Sequence, residues 1–205
     1  MNIRPHEGHD GKLGWESRRR AAFRRIRKAS ILIFVCWLSL NGSSISHSEN
    51  EDSVEYPVKL AFLYNFTKFV EWPINSFRDS RGPLLICIVG DDPFSANLEG
   101  ELRTRTVGSH PVKVMTLGSN DTLSVCHIAF VPFTEVGHVA RIVKGLKGAS
   151  TLTVGETDGF ALQGGIINLR VEGNKLRFEV NLNAAERANL KISSKLLSLA
   201  KIVKE

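Results

Sequence analysis

The sequence predicts a single α/β domain: a mixed, mostly parallel sheet flanked by helices, with a C-terminal antiparallel hairpin and two terminal helices. Three observations predict it. The run at 83–89 is continuously apolar, the pattern of a parallel strand covered on both faces, and 127–132 reads as a second buried strand. Helical periodicity alternates with them, which is the order of a sheet with helix crossovers. Near the end, residues 166–171 and 175–180 flank Glu172-Gly173-Asn174, turn residues suited to positive φ, which predicts a β-hairpin.

The first element is a helix over about 54–71, opened by Asp52 or Ser53, with Pro57 in its first turn and Pro73 as its stop. Leu60, Phe62, Leu63, Phe66, Phe69 and Val70 cover more than one face of it. Two readings stay open: two neighbours within its own fold, or a dimer or partner interface. After the strand at 83–89, Asp91 and Asp92 precede Pro93 and a helix starting near Phe94. Paired carboxylates can serve acid–base chemistry, yet Asp before Pro at a helix start reads better as a cap. No Gly-x-Gly-x-x-Gly or Gly-Lys-Ser pattern marks a phosphate cradle.

Residues 112–115 alternate as a strand, and 127–132 form a more buried one. A helix over about 135–147 carries Val136, Val139, Ile142, Val143 and Leu146 on one face and stops at Gly148; 152–154 returns as a strand. In the hairpin, Leu176, Phe178 and Val180 face one way while Lys175, Arg177 and Glu179 face the other. Asn183 is expected to cap a short helix through Ala188. Asn189 suits a left-handed helix end, and Ser193 opens a last helix carrying Leu196, Leu197, Leu199, Ala200 and Ile202.

The amino-terminal stretch differs in kind. Residues 1–28 hold nine Lys or Arg against three acidic residues, and 29–40 are mostly apolar, too short to span about 30 Å of hydrocarbon as a helix. The pattern is that of a signal peptide over 1–48, with cleavage after Ser46 or Ser48, or of an uncleaved signal anchor. The domain is expected at 54–203. The whole chain carries +6, equal to the surplus of residues 1–28, so the remainder balances at eighteen basic and eighteen acidic residues. A pI of about 9.4 therefore belongs to the targeting segment, and nucleic acid is not an expected partner. With Cys36 in the signal, Cys87 and Cys126 remain as an even pair in an oxidising compartment.

No catalytic constellation emerges. His110, His127 and His138 lie near no second ligand at zinc spacing, no Gly-x-Ser-x-Gly elbow occurs, and Glu156, Asp158 and Glu172 fall in expected loops or turns. The reading is a protein without enzymatic activity, metal or cofactor.

Residues 58–73, Ile88-Val89-Gly90-Asp91-Asp92-Pro93-Phe94, Gly164-Gly165-Ile166-Ile167-Asn168-Leu169 and the run from Leu176 to Leu197 resemble the YfiR/HmsC-like family. The resemblance implies a periplasmic repressor that holds inactive the periplasmic part of an inner-membrane diguanylate cyclase, or of a related sensor protein. Cyclic-di-GMP synthesis and biofilm formation then stay low, with oxidation state, small ligands and envelope stress as modulators; a homodimer is compatible. It also implies a disulfide between Cys87 and Cys126; the alternative is two buried free thiols. Where some relatives have a second cysteine pair this chain places Ala161 and Asn168, so a redox switch there does not carry over. The family's partner surface points at Ile167, Glu179 and Ala185, with an exposed Ile beside a charge as anchor; the competing view makes Ile167 core and Glu179 a solvated strand residue. Lys191 and Ser193 match a region of ligand binding, against a surface lysine and a helix cap. An alternative function is a solute-binding module with its cleft at the carboxyl ends of the parallel strands.

Overall fold

The computed structural model describes residues 51–92, 94–173 and 175–204, which fall within one compact unit, Asn50–Glu205. The expected signal segment lies outside the described residues, as does Asn174 in the hairpin turn.

Helix α1 (Glu51–Phe69) runs into the short strand β1 (Val70–Glu71) and, past Pro73, a 3-10 turn at Ile74–Ser76. There follow β2 (Leu84–Val89), α2 (Phe94–Leu102), β3 (Thr106–Val107) and β4 (His110–Leu117). The central part continues with β5 (Ile128–Val131), α3 (Val139–Gly145), β6 (Leu152–Gly155), β7 (Ile167–Glu172) and β8 (Lys175–Asn181). The chain ends with α4 (Leu182–Arg187), β9 (Lys191–Ile192), α5 (Ser194–Leu197) and β10 (Lys201–Val203).

Eight strands form one sheet in the order β10-β8-β7-β6-β5-β2-β4-β3, while β1 and β9 pair separately and antiparallel. Neighbours from β4 through β7 are parallel. The hairpin β7–β8 is antiparallel, as is β3–β4, so antiparallel pairing closes both sides of the parallel core, where the sequence predicts it at one edge.

Because successive side chains alternate across a strand, the sheet has two apolar faces. Ile86, Ile88, Ile128, Phe130, Leu152 and Val154 meet Leu63 and Phe66 of α1 on one face. Phe62, Phe66 and Phe178 stack edge to face there, with centroids 5.5–5.9 Å apart. The broad apolar surface of α1 is thus used within its own fold. On the other face Val89, Ala129 and Val131 meet Val139, Ile142, Val143 and Leu146 around α3, with Phe160 fully buried among them.

Phe160 lies flat against two glycines. A Cβ at Gly155 or Gly165 would collide with its ring, so these positions are glycine for close approach. Gly165→Ala is expected to cost about 2 kcal/mol through overpacking, read as a drop of several degrees in Tm; an unchanged Tm would show that the ring has room to move.

Four expected element details differ from the structure. Helix α1 starts at Glu51, which leaves Pro57 in its interior instead of its first turn. The helix expected over 135–147 divides into a 3-10 stretch, Phe133–His138, and the shorter α3. The cap of α4 is Asn181, not Asn183: its Oδ1 accepts from the Ala184 N–H at 3.0 Å, and Asn183 is exposed. Ser193 does cap the last helix, but α5 ends at Leu197, and the chain turns to lay β10 parallel to β8, Lys201 opposite Glu179. Ile202 and Val203 are β-branched and favour extension, and pairing covers the open edge of the hairpin. Asn189 adopts φ 56°, as expected of a left-handed helix end.

Candidate functional site

The sulfurs of Cys87, in β2, and Cys126, just before β5, are bonded, with Cα atoms 5.9 Å apart. Beside them His127 is fixed from several sides. Its main chain donates to Leu85 O at 2.9 Å, and its Nδ1 accepts from the Leu85 N–H at 3.0 Å, so the neutral ring carries its proton on Nε2. Phe77 packs on the ring at 4.4 Å and itself stacks on His110 at 4.0 Å, while the Trp72 indole donates to His127 O at 3.1 Å. Burial, reinforced by the neighbouring His110, lowers the His127 pKa from 6.5 to about 4.

The hairpin carries the second cluster. Ile167 is 0 %, Ala185 2 % and Glu179 5 % exposed, which corrects the expectation of an exposed Ile anchor. Ile167 and Ala185 point into the core shared with α1. Glu179 is not an ordinary solvated residue either: Lys201 Nζ from β10 lies 2.9 Å and Arg170 Nη1 from β7 3.1 Å from its Oε1. Burial pushes this carboxyl up, but the two hydrogen bonds and the Lys201 charge outweigh it, and its pKa is lowered. Arg170 also lies 3.9 Å from Glu172 and 4.0 Å from Asp158. Arg177 joins them around a cleft of about 200 Å³, giving a charged ledge at the sheet's edge. The partners Arg170 and Lys201 were not legible from sequence; the Arg170↔Arg177 and Glu179↔Lys201 registers bring them together.

Lys191 and Ser193 sit elsewhere. Lys191 is exposed in β9, opposite Glu71 of β1, and the Ser193 hydroxyl accepts from the Leu196 N–H at 3.3 Å. Neither lines the cleft beside Glu179.

A larger cleft of about 550 Å³ lies between α3, α4 and the loop before β7. It is at the amino end of β6 and β7, opposite to the end expected for a solute site. At the carboxyl end, the Glu135 carboxylate packs on Gly90, and Glu156 bonds Lys59 at 2.5 Å and the Phe133 N–H at 2.8 Å.

The profile of the YfiR/HmsC-like family matches residues 56–201, from within α1 to the start of β10. The chain belongs to the YfiR/HmsC-like family. No curated protein sequence matches it. Among solved structures, a conserved domain protein of Vibrio cholerae is similar, at 16% identity and TM-score 0.44, over 60% of this chain and 55% of that one. The chain therefore spans about half the length of that protein.

In this YfiR/HmsC-like chain, Ala161 and Asn168 hold non-covalent ties. Ala161 O accepts from Asn181 Nδ2 at 2.8 Å, and Asn168, fully buried, has its amide against the carbonyls of Gly155 and Thr157. Asn181 was recognised from sequence neither as the cap of α4 nor as the tie to the 160s loop. A polar residue closing an alternating strand is its only signal there. Asn181→Ala removes both bonds and leaves Ala161 O with only the longer bond from the Gly164 N–H, at 3.3 Å; a loss of about 2 kcal/mol is expected in urea unfolding, and a variant as stable as the parent would exclude this role.

Proposed function

We propose that this protein is an exported regulator, with a signal peptide over 1–48 and a domain over 54–203, that represses a membrane-bound diguanylate cyclase by binding its periplasmic part. The observation that carries the reading is the family match across residues 56–201. The protein is proposed to act by binding, without chemistry of its own. The ledge supplies a physical means. Arg170, Arg177 and Lys201 reach solvent at the sheet's edge, and buried Glu179 holds two of them in place. In this reading Glu179 is a positioning residue, Ile167 and Ala185 shape the surface from beneath, and Arg177 and Lys201 touch the partner.

Cellular cyclic-di-GMP tests the reading. Deleting the gene is expected to raise it and overproduction to lower it; no change in either would overturn the repressor role. Ile167→Asp would bury a charge and unfold the domain, so the informative variant is the exposed Arg177→Glu, which leaves the Lys201–Glu179 pair intact. It is expected to be exported at parental level and to lose repression. Full repression by that variant would place the partner surface elsewhere.

A further inference from the structure

The 550 Å³ cleft has a volume typical of small-molecule sites, and its lining has one chemical character. Val143 of α3 and Leu146 at its end, Ile166 ahead of β7, and Ala184 of α4 and Ala188 at its end make it apolar. Thr151 and Thr153 lie in its floor, but both hydroxyls are engaged by the protein: Thr151 Oγ1 donates to Cys126 O, and Thr153 Oγ1 accepts from the Ile166 N–H, each at 2.9 Å. The floor therefore makes little polar demand on an occupant. Charge enters through Lys147, just past α3, and through Arg187, in the last turn of α4, which is also engaged within the protein; none of the described lining residues is acidic.

An apolar slot with Lys147 at its rim, and no carboxylate among its described lining residues, selects one class of molecule. A neutral apolar body gains from desolvation alone, a cation is repelled, and a single anionic head gains charge-assisted hydrogen bonds from the ammonium or guanidinium. We infer that this cleft binds a small amphipathic anion, an apolar chain or ring bearing one carboxylate or similar head held by Lys147 and Arg187, with its body against Val143, Leu146, Ile166 and Ala188. The assignment is independent of the cyclase reading, because it needs no partner and concerns the opposite end of β7 from Arg170.

The test uses full-length protein purified from cells expressing the whole gene, with decanoate as the probe at submicellar concentration and 1-decanol and decylammonium as matched controls. Decanoate is expected to raise Tm saturably, and each control to bind at least about tenfold more weakly, the scale of a lost charge-assisted hydrogen bond. Lys147→Glu with Arg187→Glu, at two exposed positions, is expected to weaken decanoate about tenfold or more. Ala188→Phe, which fills the cleft, is expected to abolish binding; should that variant not fold, the charge pair decides the matter. The inference is overturned if decanoate leaves Tm unchanged, if decanol binds as well as decanoate, or if either folded variant binds decanoate like the parent.

Discussion

Replacing both Cys87 and Cys126 by alanine is expected to lower the stability of the domain by about 4 kcal/mol, the chain-entropy cost of releasing a loop of 39 residues. The segment between them carries part of β2, all of α2 and the β3–β4 edge, so the bond restrains a large piece of the unfolded chain. It also fixes the start of β5 against β2 on the sheet face that holds Val89 and Ala129. Urea unfolding of parent and double variant measures the loss, and a reductant should bring the parent toward the variant while leaving the variant unmoved. Equal midpoints for the two proteins would mean that the bond contributes nothing.

Acid is expected to destabilise the protein through His127, one residue further on. The ring has a pKa near 6.5 unfolded and about 4 folded, because folding buries it, places it near His110 and commits Nδ1 to the Leu85 N–H. The sign follows from proton counting. Above pH 6.5 both states hold the ring neutral and stability is flat. Between 6.5 and about 4 the unfolded chain takes up a proton that the native protein refuses, so stability falls with pH. Below about 4 the effect levels off. At about 1.4 kcal/mol per pH unit the span amounts to about 3 kcal/mol. Glu179 adds a separate loss at lower pH: its folded pKa lies below 4.5, so its contribution is present above 4.5 and disappears as pH falls through the folded value. His127→Asn places Oδ1 where Nδ1 was, keeps the acceptor for Leu85 and removes the titration. It should flatten the profile between pH 6.5 and 4.5 while the Glu179 loss remains; an unchanged slope would mean that other groups carry it.

These sites differ in how far they were legible in the sequence. Strands β2 and β5 announce themselves because burial on both faces leaves no polar interruption, and Glu172-Gly173-Asn174 marks the hairpin by turn chemistry alone. Strands β1, β3, β9 and β10 are two or three residues long, below the length at which a period exists. β3 folds back on the adjacent β4, and the other three form because a distant edge is available to pair with. Alternation places Lys175, Arg177 and Glu179 on one face, and the first two are exposed as a solvated face requires. Glu179 departs from them because β10 and Arg170 close over it, a consequence of register between segments far apart in sequence. Ile166 and Ile167 are both buried, so neither meets solvent, and polarity alone does not tell the two apart.

The pairing of β1 with β9 sets Val70 opposite Ile192, and β10 adds its last rung at Val203. The two ends of the domain are thereby sewn together by its final residues, across more than a hundred positions of sequence. A ribosome delivers those residues last, so the nascent chain has neither the partner for β1 nor the cover for β8 until synthesis of the domain is almost complete. Such long-range closure delays the finished fold and leaves the unfinished chain pliable enough to be threaded, which is the state that the proposed export requires of it.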